Sequence, residues 1–364
     1  MAQASLLTLF IGASSNTPGS ARGIHCVRLD PATGALHEPS LAVASPNPGF
    51  LALHPNGRLL YASGEAGRIS EKVAAGAVNA YTIDARAGRL ALLGQQPTGG
   101  LSVTHLAVDA TGRALLTASY HGGQVAAFPL DREGRPGACS ASIQHNGPLG
   151  PNRARQDKPH PHCVTLSPDN RFVQVCDLGL DLIVAYGLEL ADATLSAAGL
   201  CPAAPGSGPR HSKFSPDGQY LYVISELGST IVVHRHDPAT GMLRPQQTAS
   251  TLPGGFSGEN ICAEIQLHPN GRFVYGANRG HDSLAVFARD LDEGSLDLVE
   301  IVPCGGQHPR HFALSPDGSW LVCANRDTNS LTVFKVDADT GQLTPTPHRA
   351  EVPTPTCVLF APSG

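Results

Sequence analysis

The sequence predicts an all-β fold, a seven-bladed β-propeller whose last blade is closed by both N- and C-terminal strands. Three observations lead to this prediction: a turn motif that recurs along the chain, strand-like alternation between its copies, and complementary termini. A chain of 364 residues could hold two domains, but β-propellers of this length are often one unit. We therefore predict a single domain over residues 1–364.

The repeated motif is a short apolar strand followed by a turn of the Pro-Asp-Gly type. Clear copies are "LALHPNGRLLYAS" (51–63), "SKFSPDGQYLYVI" (212–224) and "FALSPDGSWLVCA" (312–324). Consecutive turns lie 46 to 58 residues apart, which is the period of a four-stranded propeller blade rather than of a helical solenoid. The anchoring residues of the seven turns are Pro55, Ala110, Pro168, Pro216, Pro269, Pro316 and Pro362.

Each copy contains further strand signals in a fixed order. A second, alternating strand follows the turn, and then come a third strand such as "TIVVHRHD" (230–237) and a fourth strand after "PATG" (238–241). No segment has sustained helical periodicity. The seventh copy supplies only an inner strand, and closing its blade with the N-terminal strands removes a free sheet edge. The segments concerned are "CVLFAPSG" (357–364), "LLTLFIGAS" (6–14), "GIHCVRLD" (23–30) and "ALHEPSL" (35–41).

The composition indicates a compact, turn-rich chain with a sizeable core, since it has 40 Gly, 30 Pro, 41% hydrophobic residues and 15% charged ones. A net charge of −5 provides no basic field for nucleic acid or an anionic membrane, so we expect a small-molecule partner. Nine scattered cysteines without a C-x-x-C pair are typical of reduced thiols. The start lacks a basic signal-peptide region and no apolar stretch could span a bilayer. We expect a cytoplasmic protein that is a monomer or a weak homodimer.

Two positions of the repeat are predicted to lie at the same end of the blades. Chain direction alternates from strand to strand, so the residue before each inner strand and the residue after each second strand emerge together. A purely structural repeat would hold similar residues there, whereas here charge is concentrated in the third to sixth copies. Six residues before the anchor lie Gly49, Thr104, His162, Arg210, Ala263, Arg310 and Thr356, and ten residues after it lie Glu65, Tyr120, Leu178, Glu226, Arg279 and Arg326.

Four of these residues, His162, Arg210, Glu226 and Arg279, are predicted to share one mouth of the central channel, where closed β architectures usually bind ligands. The two guanidiniums suit a carboxylate, a phosphate or a developing oxyanion. The carboxylate and the imidazole can transfer protons near neutral pH. Neither ring of positions holds Ser or Cys, so water activated by a base is favoured over a covalent nucleophile. Charged loop residues or salt bridges between blades are the alternative interpretation.

Five further residues are candidate substrate contacts: Arg155, Lys158, His160, His211 and Glu264. The first three lie in "GPLGPNRARQDKPHPH" (147–162), the longest irregular connection, and long loops in compact folds often bind ligands. The other two lie one residue from a ring position, where hydrogen bonding to the neighbouring strand is the alternative. "PHPH" (159–162) offers two histidines and no placed third ligand, so we predict no metal site and no cofactor.

Four long motifs resemble a known family, the seven-bladed lactonases. That family includes the propeller-type bacterial 6-phosphogluconolactonases and the fungal carboxy-cis,cis-muconate cyclases. The resemblance extends over essentially the whole chain, and it implies hydrolysis of 6-phosphoglucono-δ-lactone to 6-phosphogluconate in the pentose phosphate pathway. The motifs are "RQDKPHPHCVTLSPDN" (155–170), "GSGPRHSKFSPDGQYLYVISEL" (206–227), "CAEIQLHPNGRFVYGANRGHDSLAVF" (262–287) and "HPRHFALSPDGSWLVCANRD" (308–327).

The resemblance also implies roles for the four residues selected by the repeat. The family's catalytic histidine matches His162, and its glutamate at the end of the following blade's second strand matches Glu226. Its Pro-Arg-His arginine matches Arg210, and its Asn-Arg arginine matches Arg279. By this resemblance the glutamate and the histidine share general base and general acid duties, while the two arginines hold anionic groups and stabilise the oxyanion.

Other functions remain open from the sequence. Cyclisation of a carboxylated muconate needs the same two cations and the same proton-transfer pair, and hydrolysis of another lactone does too. A non-catalytic interaction propeller is less favoured, because the blades lack Trp-Asp signatures and only Trp320 is available for a protein-binding hot spot.

The tripeptide Pro-Arg-His occurs twice, in "GPRHSKFSPDG" (208–218) and "HPRHFALSPDG" (308–318). Both copies occupy the same place in the repeat, which indicates a structural joint. Arg210 has a histidine at the ring position one copy back and a glutamate in its own copy, whereas Arg310 has no such pair. We therefore predict catalysis at the first copy and a structural counterpart at the second.

Overall fold

The computed structural model describes residues 5–13, 23–70 and 73–362. These residues form seven four-stranded sheets and no helix, and paired strands run antiparallel. The predicted all-β, seven-bladed propeller is confirmed, with one blade for each copy of the turn motif. We number the blades 1 to 7 in the order of the turns. In these residues no helix has the length and apolar character of a membrane span.

The chain divides into two compact units. Unit 1 comprises residues 1–51, 83–91 and 249–364, and unit 2 comprises residues 52–82 and 92–248. The single domain expected from the sequence stays a prediction.

Unit 2 contains blades 2 and 3 and most of blades 1 and 4, and the strands of each blade pair in chain order. Blade 1 consists of β4 Leu51–Leu53, β5 Leu59–Ser70, β6 Val73–Asp84 and β7 Arg89–Pro97. Blade 2 consists of β8 His105–Val108, β9 Ala114–Ser119, β10 Gln124–Pro129 and β11 Ala141–Gln144. Blade 3 consists of β12 Pro161–Leu166, β13 Phe172–Asp177, β14 Leu182–Glu189 and β15 Thr194–Pro202. Blade 4 consists of β16 Pro209–Phe214, β17 Tyr220–Ser225, β18 Thr230–His236 and β19 Leu243–Ser250.

Unit 1 contains blades 5 to 7. In blade 7 the order is β28-β1-β2-β3, and Phe10 of β1 lies opposite Leu359 of β28, which confirms the predicted closure by both termini. Blade 5 consists of β20 Ile261–Leu267, β21 Phe273–Arg279, β22 Ser283–Arg289 and β23 Leu296–Pro303. Blade 6 consists of β24 Pro309–Leu314, β25 Trp320–Asn325, β26 Ser330–Val336 and β27 Leu343–Glu351. Blade 7 consists of β28 Pro355–Phe360, β1 Leu7–Ala13, β2 Gly23–Leu29 and β3 Ser40–Ala44.

The Ser-Pro-Asp-Gly turns show why the motif is repeated. In blade 4, Ser215 Oγ donates a hydrogen bond to Asp217 at 2.5 Å, and Asp217 accepts the backbone N–H of Gln219 at 2.9 Å. The backbone N–H of Tyr220 donates to Ser215 Oγ at 3.0 Å, and Gly218 has a φ of +69°, which a residue without Cβ adopts readily. The same contacts recur in blade 6. The motif therefore closes the hairpin between the first and second strands.

Apolar packing between sheets sets the positions of the strand ends. Every side chain of β9, β13, β17 and β25 is buried. Between blades 2 and 3, one cluster includes Leu116, Val125, Val164, Val175 and Tyr186. Burial of each large aliphatic side chain stabilises the fold by about 1.5–3 kcal/mol, so the strands that end at the candidate site are firmly held.

Blade 1 departs from the repeat. Strands β5 and β6 have 12 residues each, whereas the corresponding β9 and β10 have 6 each. Glu65, which the sequence places after the second strand, lies within β5 opposite Gly76. The expected position of Glu65 is therefore wrong, because the hairpin continues beyond the point where the other blades turn.

A buried histidine in blade 4 makes stability depend on pH. The His234 side chain is 2% exposed, and burial lowers its pKa from 6.5 to about 4. The unfolded chain takes up this proton as the pH falls through 6.5, whereas the folded chain does so only near pH 4. Its contribution to stability is therefore complete above pH 6.5 and is lost on acidification toward pH 4.

We expect His234 to lower the free energy of unfolding by about 2 kcal/mol between pH 7 and pH 5. His234→Gln, which does not titrate, should remove this part of the pH dependence in urea denaturation curves. His37→Gln, at an exposed position, should keep the wild-type dependence. An identical slope in the wild type and His234→Gln would contradict the assignment.

Candidate active site

Three of the predicted site residues, His162, Arg210 and Glu226, lie together in unit 2. His162 is the second residue of β12, Arg210 is the second residue of β16, and Glu226 follows β17 directly. Their exposed fractions are only 3%, 2% and 2%. Glu226 Oε2 accepts a hydrogen bond from Arg210 Nε at 2.8 Å and lies 3.9 Å from His162 Nε2. A carboxylate, a guanidinium and an imidazole therefore meet in one buried cluster.

The Pro-Arg-His joint is a β-bulge. In blade 4, Pro209 and His211 pair with consecutive residues of β17, so Arg210 is the extra residue of the bulge. His162 and Arg310 occupy the same place in β12 and β24. A bulge interrupts the alternation of side chains along a strand and redirects the extra residue. The repeated bulge thus directs these side chains to the same end of their blades.

The other oxygen of Glu226 contacts the long loop between β11 and β12 (residues 145–160). The Arg155 guanidinium donates a hydrogen bond to Glu226 Oε1, and its side chain is 35% exposed. Partial burial acts to lower the pKa of Arg155, but the Glu226 carboxylate and the Tyr120 hydroxyl together raise it above its usual value. The guanidinium therefore stays charged. We call the Arg155–Glu226 contact the loop ion pair.

Aromatic rings surround His162. The Tyr120 ring meets it edge-on with centroids 5.4 Å apart, and Tyr120 also stacks on His160 at 4.0 Å. The His211 ring is edge-on to His162 at 5.0 Å and to His105 at 5.2 Å. Of the predicted substrate contacts, His160 and His211 are thus part of the aromatic surroundings of His162, which restrict the orientation of its imidazole.

The end of the long loop is held by side-chain hydrogen bonds. His160 Nε2 lies 2.8 Å from Asp157 Oδ1, and His160 Nδ1 lies 2.8 Å from the carbonyl oxygen of Tyr120. The hydrogen bond with His160 lowers the pKa of Asp157. Lys158 Nζ donates to the carbonyl oxygen of His121 at 2.8 Å. Lys158, a predicted substrate contact, is therefore exposed at the surface of this loop, and its ammonium group is hydrogen-bonded to a backbone carbonyl.

One buried carboxylate holds both ends of the long loop. Asp177 Oδ1 accepts the backbone N–H of His160 at 2.8 Å, and Asp177 Oδ2 lies 2.8 Å from His145 Nδ1. His145 Nε2 lies 2.9 Å from the Tyr186 hydroxyl. Burial and the charge of Asp177 raise the pKa of Tyr186 to about 12, so its O–H donates to Nε2 and the Nδ1 proton is donated to Asp177. The loop that supplies Arg155 is therefore fixed at its first and last residues.

The remaining predicted residues, Glu264 and Arg279, lie on blade 5 in unit 1. Glu264 is 1% exposed, and its Oε2 lies 3.3 Å from His311 Nε2. His311 Nδ1 accepts the backbone N–H of Val358 at 3.2 Å, so Nε2 holds the proton and donates it to Glu264. Arg279 ends β21, is 4% exposed and donates to the carbonyl oxygen of Cys262. Glu264 is thus paired with the histidine of the second Pro-Arg-His copy.

A histidine that the sequence analysis does not select, His308, precedes that second copy. His308 has a φ of +58°, and the corresponding residue of the first copy, Gly208, has a φ of +60°. His308 Nδ1 lies 3.4 Å from Asp327 Oδ2. Burial, followed by the positive charges of Arg279, Arg326 and Arg310, lowers the pKa of His308 to about 3. The second copy is therefore preceded by a neutral imidazole, that of His308, where the first copy is preceded by Gly208.

Three further residues of the unit 2 cluster are absent from the predicted contacts. Tyr120 occupies a ring position, ten residues after the anchor, so its offset was a usable signal. Asp157 lies in the long loop, which has no counterpart in the repeat. Asp177 ends β13, where the equivalent residues of blades 2, 4, 5 and 6 are Ser or Asn, and this difference in charge was also a signal. Those equivalents are Ser119, Ser225, Asn278 and Asn325.

The cluster in unit 2 combines proton transfer with anion binding. Glu226 and His162 can accept or donate a proton, and the Arg155 guanidinium offers a partly exposed positive charge. Across residues 5–13, 23–70 and 73–362, no group of three or more His, Cys, Asp or Glu side chains is arranged to hold a metal ion.

Comparison with known proteins identifies one family over nearly the whole chain. The sequence model of the family described as "Lactonase, 7-bladed beta-propeller" matches residues 8–360. A 6-phosphogluconolactonase of Bacillus subtilis (strain 168) is 38% identical over 97% of this chain and 99% of its own length. A 6-phosphogluconolactonase of Formosa agariphila is 30% identical over 84% of this chain and 86% of its own length.

A solved structure is also similar to this chain over nearly its whole length. The structure of a periplasmic gluconolactonase from Pseudomonas aeruginosa is 33% identical in sequence and superposes with a TM-score of 0.92. The match includes 99% of this chain and all of that one.

The Asp177 carboxylate should control both stability and loop mobility. Asp177→Ala leaves buried N–H donors and His145 without their acceptor, so we expect the free energy of unfolding to fall by about 3 kcal/mol. We also expect backbone amide exchange in residues 145–160 to accelerate at least about tenfold. Urea denaturation and hydrogen-exchange mass spectrometry measure the two effects.

Asp109→Ala is the matched control. Asp109 is also buried and accepts the backbone N–H groups of Thr111, Arg113 and Ala114, but in the turn of blade 2. It should destabilise the protein without accelerating exchange in the long loop. Equal acceleration in both variants would show that Asp177 has no specific role in holding the loop.

Proposed function

The chain belongs to the seven-bladed β-propeller lactonase family, and we propose that it hydrolyses 6-phosphoglucono-δ-lactone. The product is 6-phosphogluconate, and the reaction is a step of the oxidative pentose phosphate pathway. The names of the relatives from Bacillus subtilis and Formosa agariphila support this substrate. The observation that carries the proposal is the buried Glu226 carboxylate, which contacts two guanidiniums and lies beside an imidazole.

In the proposed reaction Glu226 is the general base. Its two guanidinium neighbours favour the ionised carboxylate, which can accept a proton but cannot donate one. A water molecule attacks the lactone carbonyl carbon, and its proton passes to Glu226 as the new C–O bond forms. The carbonyl oxygen becomes the oxyanion of a tetrahedral intermediate. No covalent bond to the protein forms in this scheme.

His162 is the proposed general acid. Collapse of the tetrahedral intermediate breaks the bond between the carbonyl carbon and the ring oxygen, and the ring oxygen takes a proton from the imidazole to become a hydroxyl group. The edge-on contacts with Tyr120 and His211 support a fixed imidazole orientation. A proton transferred from Glu226 to His162 restores both groups, and their closest nitrogen and oxygen atoms are 3.9 Å apart.

The other predicted residues receive narrower roles. Arg210 Nε orients Glu226 through the 2.8 Å hydrogen bond. The partly exposed cations Arg155 and Lys158 are the proposed contacts for the substrate phosphate. Oxyanion stabilisation by Arg210 and Arg279, and direct substrate contacts by His160, His211 and Glu264, stay predictions.

Hydrolysis of an unphosphorylated gluconolactone is the second candidate function. It is favoured by the similarity to the Pseudomonas aeruginosa protein, which is described as a gluconolactonase. The ratio of kcat/KM for the two lactones, measured with one protein preparation, distinguishes the candidates.

We also propose that the protein is cytoplasmic and is a monomer or a weak homodimer. The nine cysteines are all thiols, and eight of them are buried, as is common where glutathione keeps thiols reduced. The Pseudomonas aeruginosa relative is described as periplasmic, so fractionation of the source cells is the relevant test.

Replacing Glu226 should abolish most of the activity. Glu226→Gln keeps the size of the side chain but removes the proton acceptor, so we expect kcat for freshly generated 6-phosphoglucono-δ-lactone to fall about 100-fold or more. The rate is measured by titrating the acid that is released, after subtraction of spontaneous hydrolysis.

Glu189→Gln, in an exposed position at the end of β14, is the matched control and should retain wild-type activity. Circular dichroism checks that both variants are folded. Equal rates for the wild type and Glu226→Gln would disprove the assignment of the base.

A further inference from the structure

We propose that Arg155 makes this site selective for lactones that carry an anionic group, because the anion competes with Glu226 for the Arg155 guanidinium. The inference rests on the proposed function, in which Glu226 is the general base. In the free protein the loop ion pair holds this base. A phosphate monoester or a similar oxyanion on the substrate takes over the guanidinium and releases Glu226, so the anion both binds the substrate and activates the site.

Glu226 faces charged or titratable groups from four elements of unit 2. Arg210 on β16 donates to Oε2 at 2.8 Å, and Arg155 in the long loop donates to Oε1. His162 on β12 lies 3.9 Å from Oε2. Tyr120, directly after β9, contacts the same Arg155 guanidinium through its hydroxyl. Both carboxylate oxygens are therefore bound to guanidinium groups.

A carboxylate held by two guanidiniums is a poor proton acceptor. Each positive neighbour stabilises the ionised form by charge attraction and by charge-assisted hydrogen bonds. General base catalysis is most efficient when the basicity of the group matches the operating pH. Removal of one guanidinium raises the basicity of Glu226 and also frees Oε1 to contact a water molecule.

Arg155 is the guanidinium that can leave. Arg210 is 2% exposed and belongs to a strand, whereas the Arg155 side chain is 35% exposed and comes from a loop. The loop backbone at this point is fixed, because the buried Gln156 side chain donates to the carbonyl oxygen of Leu178 and accepts the N–H of Asn152, both at 2.9 Å. Release of the carboxylate therefore needs only a rotation of the Arg155 side chain.

A phosphate group is a strong competitor for this guanidinium. The planar fork of arginine matches two oxygens of a phosphate, and a phosphate monoester dianion has more charge than a carboxylate. Lys158, exposed in the same loop, adds a second positive charge. A neutral lactone has no anionic group that could displace Glu226 from Arg155. Glu226 therefore stays in the loop ion pair when a neutral lactone binds.

The test supplies the lactone and the anion of the phosphorylated substrate as two separate compounds. Glucono-δ-lactone is the uncharged lactone, and inorganic phosphate is the separate anion. We expect millimolar phosphate to raise kcat/KM of the wild-type protein for the uncharged lactone by about fivefold or more. Sodium chloride at the same ionic strength should have no such effect, and the rate without protein in each buffer is subtracted.

Arg155→Met removes the loop ion pair while keeping a long side chain. We expect this variant to hydrolyse the uncharged lactone faster than the wild type without phosphate and to show no activation by phosphate. The acidic limb of its pH–rate profile should move to higher pH, because Glu226 is more basic. Its kcat/KM for 6-phosphoglucono-δ-lactone should fall about tenfold or more, because the anion has lost its partner. Arg153→Met, exposed in the same loop, should behave like the wild type.

Two results would overturn the inference while leaving the proposed function intact. One is equal activation by phosphate in the wild type and Arg155→Met. The other is a wild-type protein that hydrolyses 6-phosphoglucono-δ-lactone but whose kcat/KM for the uncharged lactone does not rise when phosphate is added.

Failure of the proposed function has a different signature, since neither lactone is then hydrolysed above its spontaneous rate. Calorimetric titration of inorganic phosphate into the wild type, Arg155→Met and Arg153→Met then tests the inference. The titrations are repeated in buffers of different ionisation enthalpy, because the difference in heat measures the protons that are taken up on binding. Phosphate binding that requires Arg155 and takes up a proton supports the competition. Absence of the binding or of the proton uptake overturns it.

Discussion

The arrangement of unit 2 depends on one requirement, that the buried carboxylate of Glu226 be paired with positive charge. An ionised carboxylate cannot stay buried without such partners. Arg210 meets the requirement from a strand, because a β-bulge redirects its side chain. Arg155 meets it from a loop whose two ends are held by Asp177. The bulge in blade 4 and the anchored loop thus each supply one guanidinium to the carboxylate proposed as the base.

The two ends of a blade have different physical roles. At one end, Ser-Pro-Asp-Gly turns repeat the same hydrogen bonds in blades 4 and 6, which serves stability. At the other end, the same bulge holds His162, Arg210 or Arg310. A shared backbone therefore presents different side chains, so the chemistry can change from blade to blade without altering the sheet. Under the proposed competition, the groups that perform the reaction belong to the blades, whereas selectivity between phosphorylated and neutral lactones depends on one loop cation, Arg155.

The repeat predicts that His162, Arg210, Glu226 and Arg279 share one end of the blades, and the first three lie close together in unit 2. The place of Arg279 beside them stays a prediction. Strand period and alternating direction determine at which end of a blade each offset emerges, and the bulges preserve that relation. Glu65 departs from this relation, because β5 continues beyond the usual turn. The stacking of Tyr120 on His160 and the place of Asp157 do not follow from the repeat either. These contacts depend on the path of residues 145–160, which no other copy repeats.

The all-β propeller, the closure of blade 7 by both termini and the family can be predicted from the amino-acid sequence alone. These features follow from local alternation, turn chemistry and spacing, which are properties of the chain. The pairing of Arg155 with Glu226, the anchoring of the long loop by Asp177 and the pairing of Glu264 with His311 are evident only in the folded protein. These pairs join residues distant in sequence, and burial leaves each charged or polar group only those partners that packing brings within hydrogen-bonding distance.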